Sequence, residues 1–268
     1  MGKGSLKKAL DRHMQAKEQE KIKKNKINNI QLMEKAKKDK RVAANLRPWI
    51  PFELENLSVF IGEADFSFAR CCLEENYIGE TIATNYDSYE TLVEKYPETI
   101  ANAEYLQSDA RVGHMLYEVD ATALQKCSDL NIAIRQFQSK NHESKVDFIF
   151  NFPHLGQSIA NQARNIAAHQ KLLGDFFRQV AMLPDARVIL TLFQGEPYDS
   201  WEVKTLAKQT GFKLLRSGNF AWEKYPNYSH CLTLKKGHTS KVQRNRAARV
   251  YLFDKVSPGS VTALPPSR

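Results

Sequence analysis

Two segments of this chain carry residue types at spacings that can do chemistry. The first is Gly62-Glu63-Ala64-Asp65-Phe66-Ser67-Phe68, which follows an apolar run. A glycine at the end of a strand lets a ligand approach the backbone closely. Asp65 and Ser67 can cap a following helix, and the amides at a helix start can meet a carboxylate. An ordinary strand-to-helix turn would read the same way. Asp87 adds to the pattern, since it stands about 25 positions after Gly62 at the end of the next apolar run. A carboxylate there can accept both hydroxyl hydrogens of a ribose. Asp120, followed by Ala121, closes a third run and can accept from an adenine amino group. Either acid can instead cap a helix. Together they point to an adenosine-containing cofactor, without separating S-adenosylmethionine from NAD.

The second segment is Asn151-Phe152-Pro153-His154, after a run that is apolar apart from Asp147. An amide oxygen and a nearby backbone carbonyl can hold a target nitrogen with its lone pair free. Pro153 stiffens the turn, and His154 can stack on a base or accept a proton near neutral pH. Asp/Asn-Pro-Pro-aromatic segments in amino-methylating enzymes have a similar form, which favours S-adenosylmethionine. A proline-terminated strand with an exposed histidine is the plainer reading.

Other aromatic and basic residues suit a nucleic acid. Tyr198 and Trp201, after Gly195-Glu196-Pro197, can stack on a base or fill the core. Tyr225 and Tyr228 lie in an aromatic run interleaved with Lys224. Lys235, Lys236, Lys241, Arg244, Arg246 and Arg249 read as phosphate contacts or as a solvated loop.

Elements must bring these segments together. Apolar runs alternate with helical patterns, the signature of βαβ units. Strands are expected at 57–62, 81–86, 114–120, 146–152, 187–193, 212–220 and 248–253. Helices are expected at 66–75, 89–96, 158–182 and 200–210, the last ending at Gly211. Strands 57–62 and 146–152 must open onto one cleft if cofactor and target are to meet.

Charge divides the chain. Residues 1–47 hold 15 Lys+Arg against 5 Asp+Glu, and residues 235–268 hold 8 against 1. The segment between them is acidic. Basic flanks favour a polyanion, because neutralising phosphates releases counterions. The expected organisation is a basic, flexible or RNA-ordered arm over 1–47, an α/β domain over 48–256 with a basic loop at 235–247, and a flexible tail over 257–268. Cys71, Cys72, Cys127 and Cys231 form no C-x-x-C pair, so neither a metal site nor a disulfide framework is expected. No signal peptide or membrane span is read in the sequence, and a reducing compartment and no membrane partner are expected.

Taken in order, GEADFSFA, the Asp87 strand end, VDAT, FNFPH, Ile166–His169 with Leu172-Leu173 and Phe176-Phe177, GEPYDSW and YPNY resemble one family. It is the eukaryotic ribosomal RNA (uridine-N3)-methyltransferase family, whose fungal members modify large-subunit rRNA in the nucleolus. The resemblance covers about residues 57–230 and again RNRAARVYLF. It implies a Rossmann-like S-adenosylmethionine methyltransferase fold, with a seven-stranded, mostly parallel sheet and an antiparallel last strand. It also implies a cofactor turn at Gly62, Glu63, Ala64, Asp65, Phe66 and Ser67, with Asp87 on ribose and Asp120 and Ala121 at adenine. Asn151, Pro153 and His154 would face the target uridine, with His154 the candidate proton acceptor. The partner would be large-subunit rRNA or a pre-ribosomal particle, met by a monomer in the nucleus and nucleolus. Ala64 stands where the family usually has a second glycine, and Cys231 and Leu232 where it favours arginines. A non-catalytic ribosome-assembly factor with this fold, or an amino-methyltransferase acting on another RNA base or on protein, are the alternatives.

Overall fold

The computed structural model describes Met14, Lys17, Lys21 and residues 23–36, 49–156, 159–228, 230–231 and 246–256. Lys235, Lys236, Lys241 and Arg244, and the expected tail over 257–268, lie outside the described residues. The chain divides into two units, Met1–Arg47 and Pro48–Arg268. In the first, residues 23–36 are helical, with Ile27, Ile30, Leu32 and Met33 exposed.

The second unit is built on one sheet. Its strands are β1 (Leu57–Phe60), β2 (Thr81–Thr84), β3 (Val112–Leu116), β4 (Val146–Asn151), β5 (Ala186–Phe193), β6 (Phe212–Asn219) and β7 (Ala248–Lys255). Their spatial order is β3-β2-β1-β4-β5-β7-β6. β1, β2, β3, β4 and β5 pair parallel, while β7 runs antiparallel to both β5 and β6. The sheet is thus the expected Rossmann-like one, with its last strand reversed. Strand order turns back between β1 and β4, so a crevice opens beyond their carboxyl ends. The Ile61 amide donates to the Ile149 carbonyl at 2.8 Å. Gly62 and Asn151 therefore leave neighbouring strands side by side.

Period-2 alternation assigns each strand two apolar faces. Val59, Phe148 and Val188 pack on one face against α4 (Ser128–Lys140), α5 (Gln162–Ala181) and α6 (Val203–Gln209). Phe60, Ile149 and Ile189 face the other side, toward α1 (Ser67–Glu74), α2 (Tyr89–Lys95) and α3 (Thr99–Ser108). The polar exception in β4, Asp147, is fully buried and receives both arms of Arg187 at 2.6 and 2.7 Å and Asn56 at 3.0 Å. A bidentate guanidinium on a carboxylate is how a buried charge is tolerated. This cluster sits at the opposite end of β4 from Asn151.

Several elements depart from their expected bounds. β2 stops at Thr84 and β3 at Leu116, so Asp87 and Asp120 lie in the turns beyond. The backbone there leaves the ladder: Glu118 adopts a φ of 57°. Helices α3 and α4 were not anticipated. The helix expected over 158–182 begins at Gln162, capped by the Asn161 side chain. The one expected over 200–210 is a 3-10 turn, Asp199–Trp201, followed by α6, and Gly211 at φ 87° follows it.

Candidate active site

At the carboxyl ends of β1, β2 and β4 lies a cavity of about 430 Å³. Gly62, Glu63, Ala64, Asn85, Asp87, Asp120, Ala121, Asn151, Pro153 and His154 all line it. A volume of this size suits a nucleoside-sized ligand.

The first wall is the turn after β1. Gly62 has a φ of +65°, and a Cβ there would stand 3.2 Å from Phe150 Cε2. Both the conformation and the space call for glycine. Asn85, buried at the true end of β2, ties this turn down. Its amide nitrogen donates to the Glu63 and Ala64 carbonyls, and its oxygen accepts from the Asp87 amide at 2.6 Å. Sequence reasoning passed over Asn85 for the more conspicuous Asp87; its position directly after TIAT was the available signal.

Not all of the expected turn reaches the cavity. Glu63 is buried, and its carboxylate accepts from the Ala69 amide at 3.2 Å. Burial, reinforced by Asp65, pushes its pKa up to about 8, although the amide bonds oppose the shift, so it is mostly protonated at neutral pH. Asp65, Phe66 and Ser67 lie outside the lining, so the fold does not bring these three to the cavity with Gly62, Glu63 and Ala64. Asp65 accepts from the Ser67 amide at 3.0 Å. Phe66, at φ 62°, is wholly buried and packs edge-on to Tyr117. These three shape the turn from behind.

The second wall holds the two acids. Asp87 is paired with Lys95 at 2.7 Å. Asp120 accepts from the Thr122 amide and hydroxyl at 2.8 and 2.7 Å, so it also closes its own turn. Ala121 is buried beside it.

The third wall is the segment after β4. The Asn151 amide oxygen accepts from the Thr191 hydroxyl at 2.6 Å, while its amide nitrogen is buried and has no partner among the described residues. Phe152, at φ 48°, turns the chain, and its ring stacks on Trp222 at 5.5 Å and tilts against Phe193 at 4.5 Å. Pro153 is buried. His154 Nδ1 accepts from the Gly156 amide at 3.0 Å, which leaves the proton of the neutral ring on Nε2. Burial, and then the neighbouring His169, lower the His154 pKa. The expected role of open proton acceptor is corrected on this point: a neutral His154 has no uncommitted nitrogen lone pair.

His169 is the second residue that carries more than the sequence reading gave it. It is fully buried on α5, stacked on Trp201 at 4.3 Å. Its Nδ1 meets the Asn165 carbonyl at 2.8 Å, and its Nε2 accepts from the Leu155 amide at 3.5 Å. It thereby anchors the loop that bears His154. Trp201 belongs to the core, at 1% exposure.

The aromatic residues expected on nucleic acid divide. Tyr225 and Tyr228 are corrected to core positions: both are buried against Phe68, at 4.8 and 4.9 Å, and cover the sheet face beneath α1. Tyr198 is half-buried, and the Arg246 guanidinium lies over its ring at 4.9 Å and over Phe193 at 4.6 Å. Arg246 and Tyr198 thus form one cationic and aromatic patch at the end of β5. Among the described residues no group of His, Cys, Asp and Glu could hold a metal ion, and no helix is long and apolar enough to cross a membrane.

Comparison with known proteins bears on this geometry. Residues 59–232 match the model of a family described as BMT5-like, rRNA (uridine-N3-)-methyltransferase BTM5-like. The chain is 35% identical over 252 residues to the 25S rRNA (uridine(2634)-N(3))-methyltransferase of Saccharomyces cerevisiae, covering 77% of this chain and 74% of that protein. It is 27% identical over 177 residues to an uncharacterized protein of Arabidopsis thaliana, covering 63% and 78%. Among solved structures, the 16S rRNA methyltransferase KamB is similar over 77% of this chain and 89% of its own, at 15% identity and a TM-score of 0.42. With its family match spanning every wall of the cavity, this chain belongs to the BMT5-like rRNA (uridine-N3-)-methyltransferase family.

Proposed function

We propose that this protein transfers a methyl group from S-adenosylmethionine to N3 of a uridine in large-subunit ribosomal RNA, as part of ribosome biogenesis in the nucleolus. The observation that carries the reading is the shared cavity. The Gly62 turn, the two acids and the Asn151–His154 segment line a single space, so donor and acceptor can meet there. The residues suit the cofactor: Gly62 leaves open a position that a Cβ would fill against Phe150, and Asp87 and Asp120 offer carboxylates to ribose and adenine.

When bound, S-adenosylmethionine supplies a methyl group on a sulfonium centre. The residues of this chain then act chiefly by alignment, which alone is worth several kcal/mol of barrier. Uridine N3 carries an imide proton and is normally hidden in base pairing, so the target must be unpaired or extruded to enter the cavity. Its proton passes to solvent water, since His154 Nδ1 is committed to Gly156. The Arg246 and Tyr198 patch at the end of β5 suits a phosphate and an unstacked base. The basic arm over 1–47 and the loop at 235–247 supply further phosphate contacts to the pre-ribosomal particle. The domain proper spans 48–256, and the protein works as a monomer.

The test is nucleoside mass spectrometry of large-subunit rRNA from cells lacking the gene, with calorimetric titration of S-adenosylmethionine on the purified chain. Loss of 3-methyluridine and measurable cofactor binding are expected. Unchanged 3-methyluridine overturns the reading. Absence of cofactor binding would leave a ribosome-assembly factor, and loss of a different methylated nucleoside would leave an amino-methyltransferase.

A further inference from the structure

The Asn151 amide has two ends, and the fold uses only one. Among the described residues Thr191 Oγ1 makes a single hydrogen bond, to Asn151 Oδ1 at 2.6 Å. Thr191 is 1% exposed, and among the described residues the Asn151 oxygen is the acceptor its buried hydroxyl finds. That pairing sets the sense of the amide: oxygen toward Thr191, nitrogen away from it. Among the described residues the nitrogen is buried with no acceptor, in a residue that forms part of the cavity wall. Leaving such a donor unmet is unfavourable, and an acceptor on a bound ligand can recover the loss. Pairing between β4 and β5 sets Asn151 opposite Thr191, so the arrangement is written into strand register.

We propose that Thr191 is a specificity-determining residue: by holding the Asn151 oxygen it turns this part of the wall into a hydrogen-bond donor, which selects a base whose reacting ring nitrogen is flanked by carbonyl oxygens. The inference rests on the uridine-N3 reading and deepens it. In uracil, N3 lies between the carbonyls at C2 and C4, and loss of its proton spreads negative charge over both oxygens. A donor to either oxygen therefore strengthens as the nucleophile forms, which is the condition for lowering a barrier. An adenine or cytosine amino group presents hydrogens instead and would meet the donor head-on. His154 adds no competing acceptor, because the Gly156 amide occupies its Nδ1. The Asn-x-Pro-His segment thus works with the opposite polarity to one that grips an amino group through its amide oxygen.

The test uses the purified full chain, S-adenosylmethionine and unmodified large-subunit rRNA, with products read as methylated nucleosides. Asn151→Asp replaces the donor by a second acceptor of the same shape. A fall in kcat on the order of 100-fold at neutral pH is expected, the size seen when one donor to a developing oxyanion is removed. Thr191→Val frees the amide to turn; a roughly tenfold fall and a shift of the rising limb of the pH–rate profile to higher pH are expected. Thr191→Ser keeps the hydroxyl and restores wild-type behaviour. A wild-type circular-dichroism spectrum and melting temperature in all three certify the fold, and if Thr191→Val fails that check the Asn151→Asp result decides alone. Full 3-methyluridine activity in Asn151→Asp overturns the inference while leaving the uridine reading intact. A wild-type chain that makes some other methylated nucleoside overturns the uridine reading itself.

Discussion

Replacing Gly62 by alanine tests the cofactor turn with the smallest possible change. The backbone there has a φ of +65°, which costs an L side chain roughly 1–2 kcal/mol. The new Cβ would also stand 3.2 Å from Phe150 Cε2, closer than ordinary van der Waals contact, so the ring must give by a few tenths of an ångström. That ring is held edge-on by Phe176 at 5.1 Å, and overpacking of this kind adds about 1–3 kcal/mol. The sum is about 2–5 kcal/mol, or a fall in Tm on the order of 5–15 °C for a domain of this size. Gly211→Ala supplies the control. It carries the same backbone penalty at φ +87°, but nothing lies within 4 Å of its Cβ, so about 1–2 kcal/mol is expected. The two variants part company on ligand. Gly62 and Phe150 both line the cavity, and Gly62→Ala should weaken S-adenosylmethionine at least tenfold, equivalent to about 1.4 kcal/mol. Gly211→Ala should leave affinity unchanged. Denaturation and calorimetric titration of both variants measure the two effects separately. If Gly62→Ala bound the cofactor as tightly as wild type, the turn after β1 would not be a cofactor contact.

Three further outcomes are expected. Glu63 has its folded pKa raised by burial from 4.5 to about 8, so the folded chain keeps a proton that the unfolded chain releases, and stability falls as pH rises from 4.5 to 8. Glu63→Gln should remove a slope of about 1.4 kcal/mol per pH unit between those limits, and urea melts giving parallel wild-type and variant pH profiles would contradict it. Asp147→Asn leaves the buried Arg187 with Glu53 as its remaining carboxylate, and should cost about 3 kcal/mol of stability with cofactor affinity unaltered in the folded fraction; a loss under 1 kcal/mol would show that the pair is dispensable. His169→Phe keeps a ring on Trp201 but removes the acceptor for the Leu155 amide. Methyl transfer should fall about tenfold with cofactor binding within twofold, and an unchanged kcat would exclude the anchoring role.

The parts of this fold that were legible are those where one physical requirement dominates. β4 and β5 are buried on both faces, and the apolar runs Phe148–Phe150 and Val188–Leu190 between their polar positions mark them as strands. α5 declared itself by a long stripe that ends in Phe176, Phe177 and Val180. α3 did not, because it buries Thr99 and Asn102 alongside Ala103 and Leu106 while exposing Ile100, so no apolar stripe marks it. α4 did carry a stripe, Leu130, Ala133, Ile134 and Phe137, and was legible in principle. Within the site, residue types at strand ends located the cavity, but pairing between side chains lies beyond any spacing rule. That Thr191 holds one end of Asn151, or that Gly156 covers His154 Nδ1, depends on partners brought together by strand register and a left-handed turn. Tyr225 and Tyr228 show the converse error. An aromatic run broken by charges reads as a wet surface, yet here it wraps Phe68 and closes a core.

That wrapping separates shape from contact along the chain. Every described residue lining the cavity falls between Ile61 and Leu172. The ring of Phe152, however, rests on Trp222, and Trp222 lies parallel to Tyr228 at 6.0 Å and donates its indole hydrogen to the Arg246 carbonyl. Residues downstream of α5 thus support the turn after β4 from behind without lining the cavity themselves. Substitutions far downstream, in residues that never touch RNA or cofactor, would consequently alter which bases are accepted before they alter how tightly the cofactor is held.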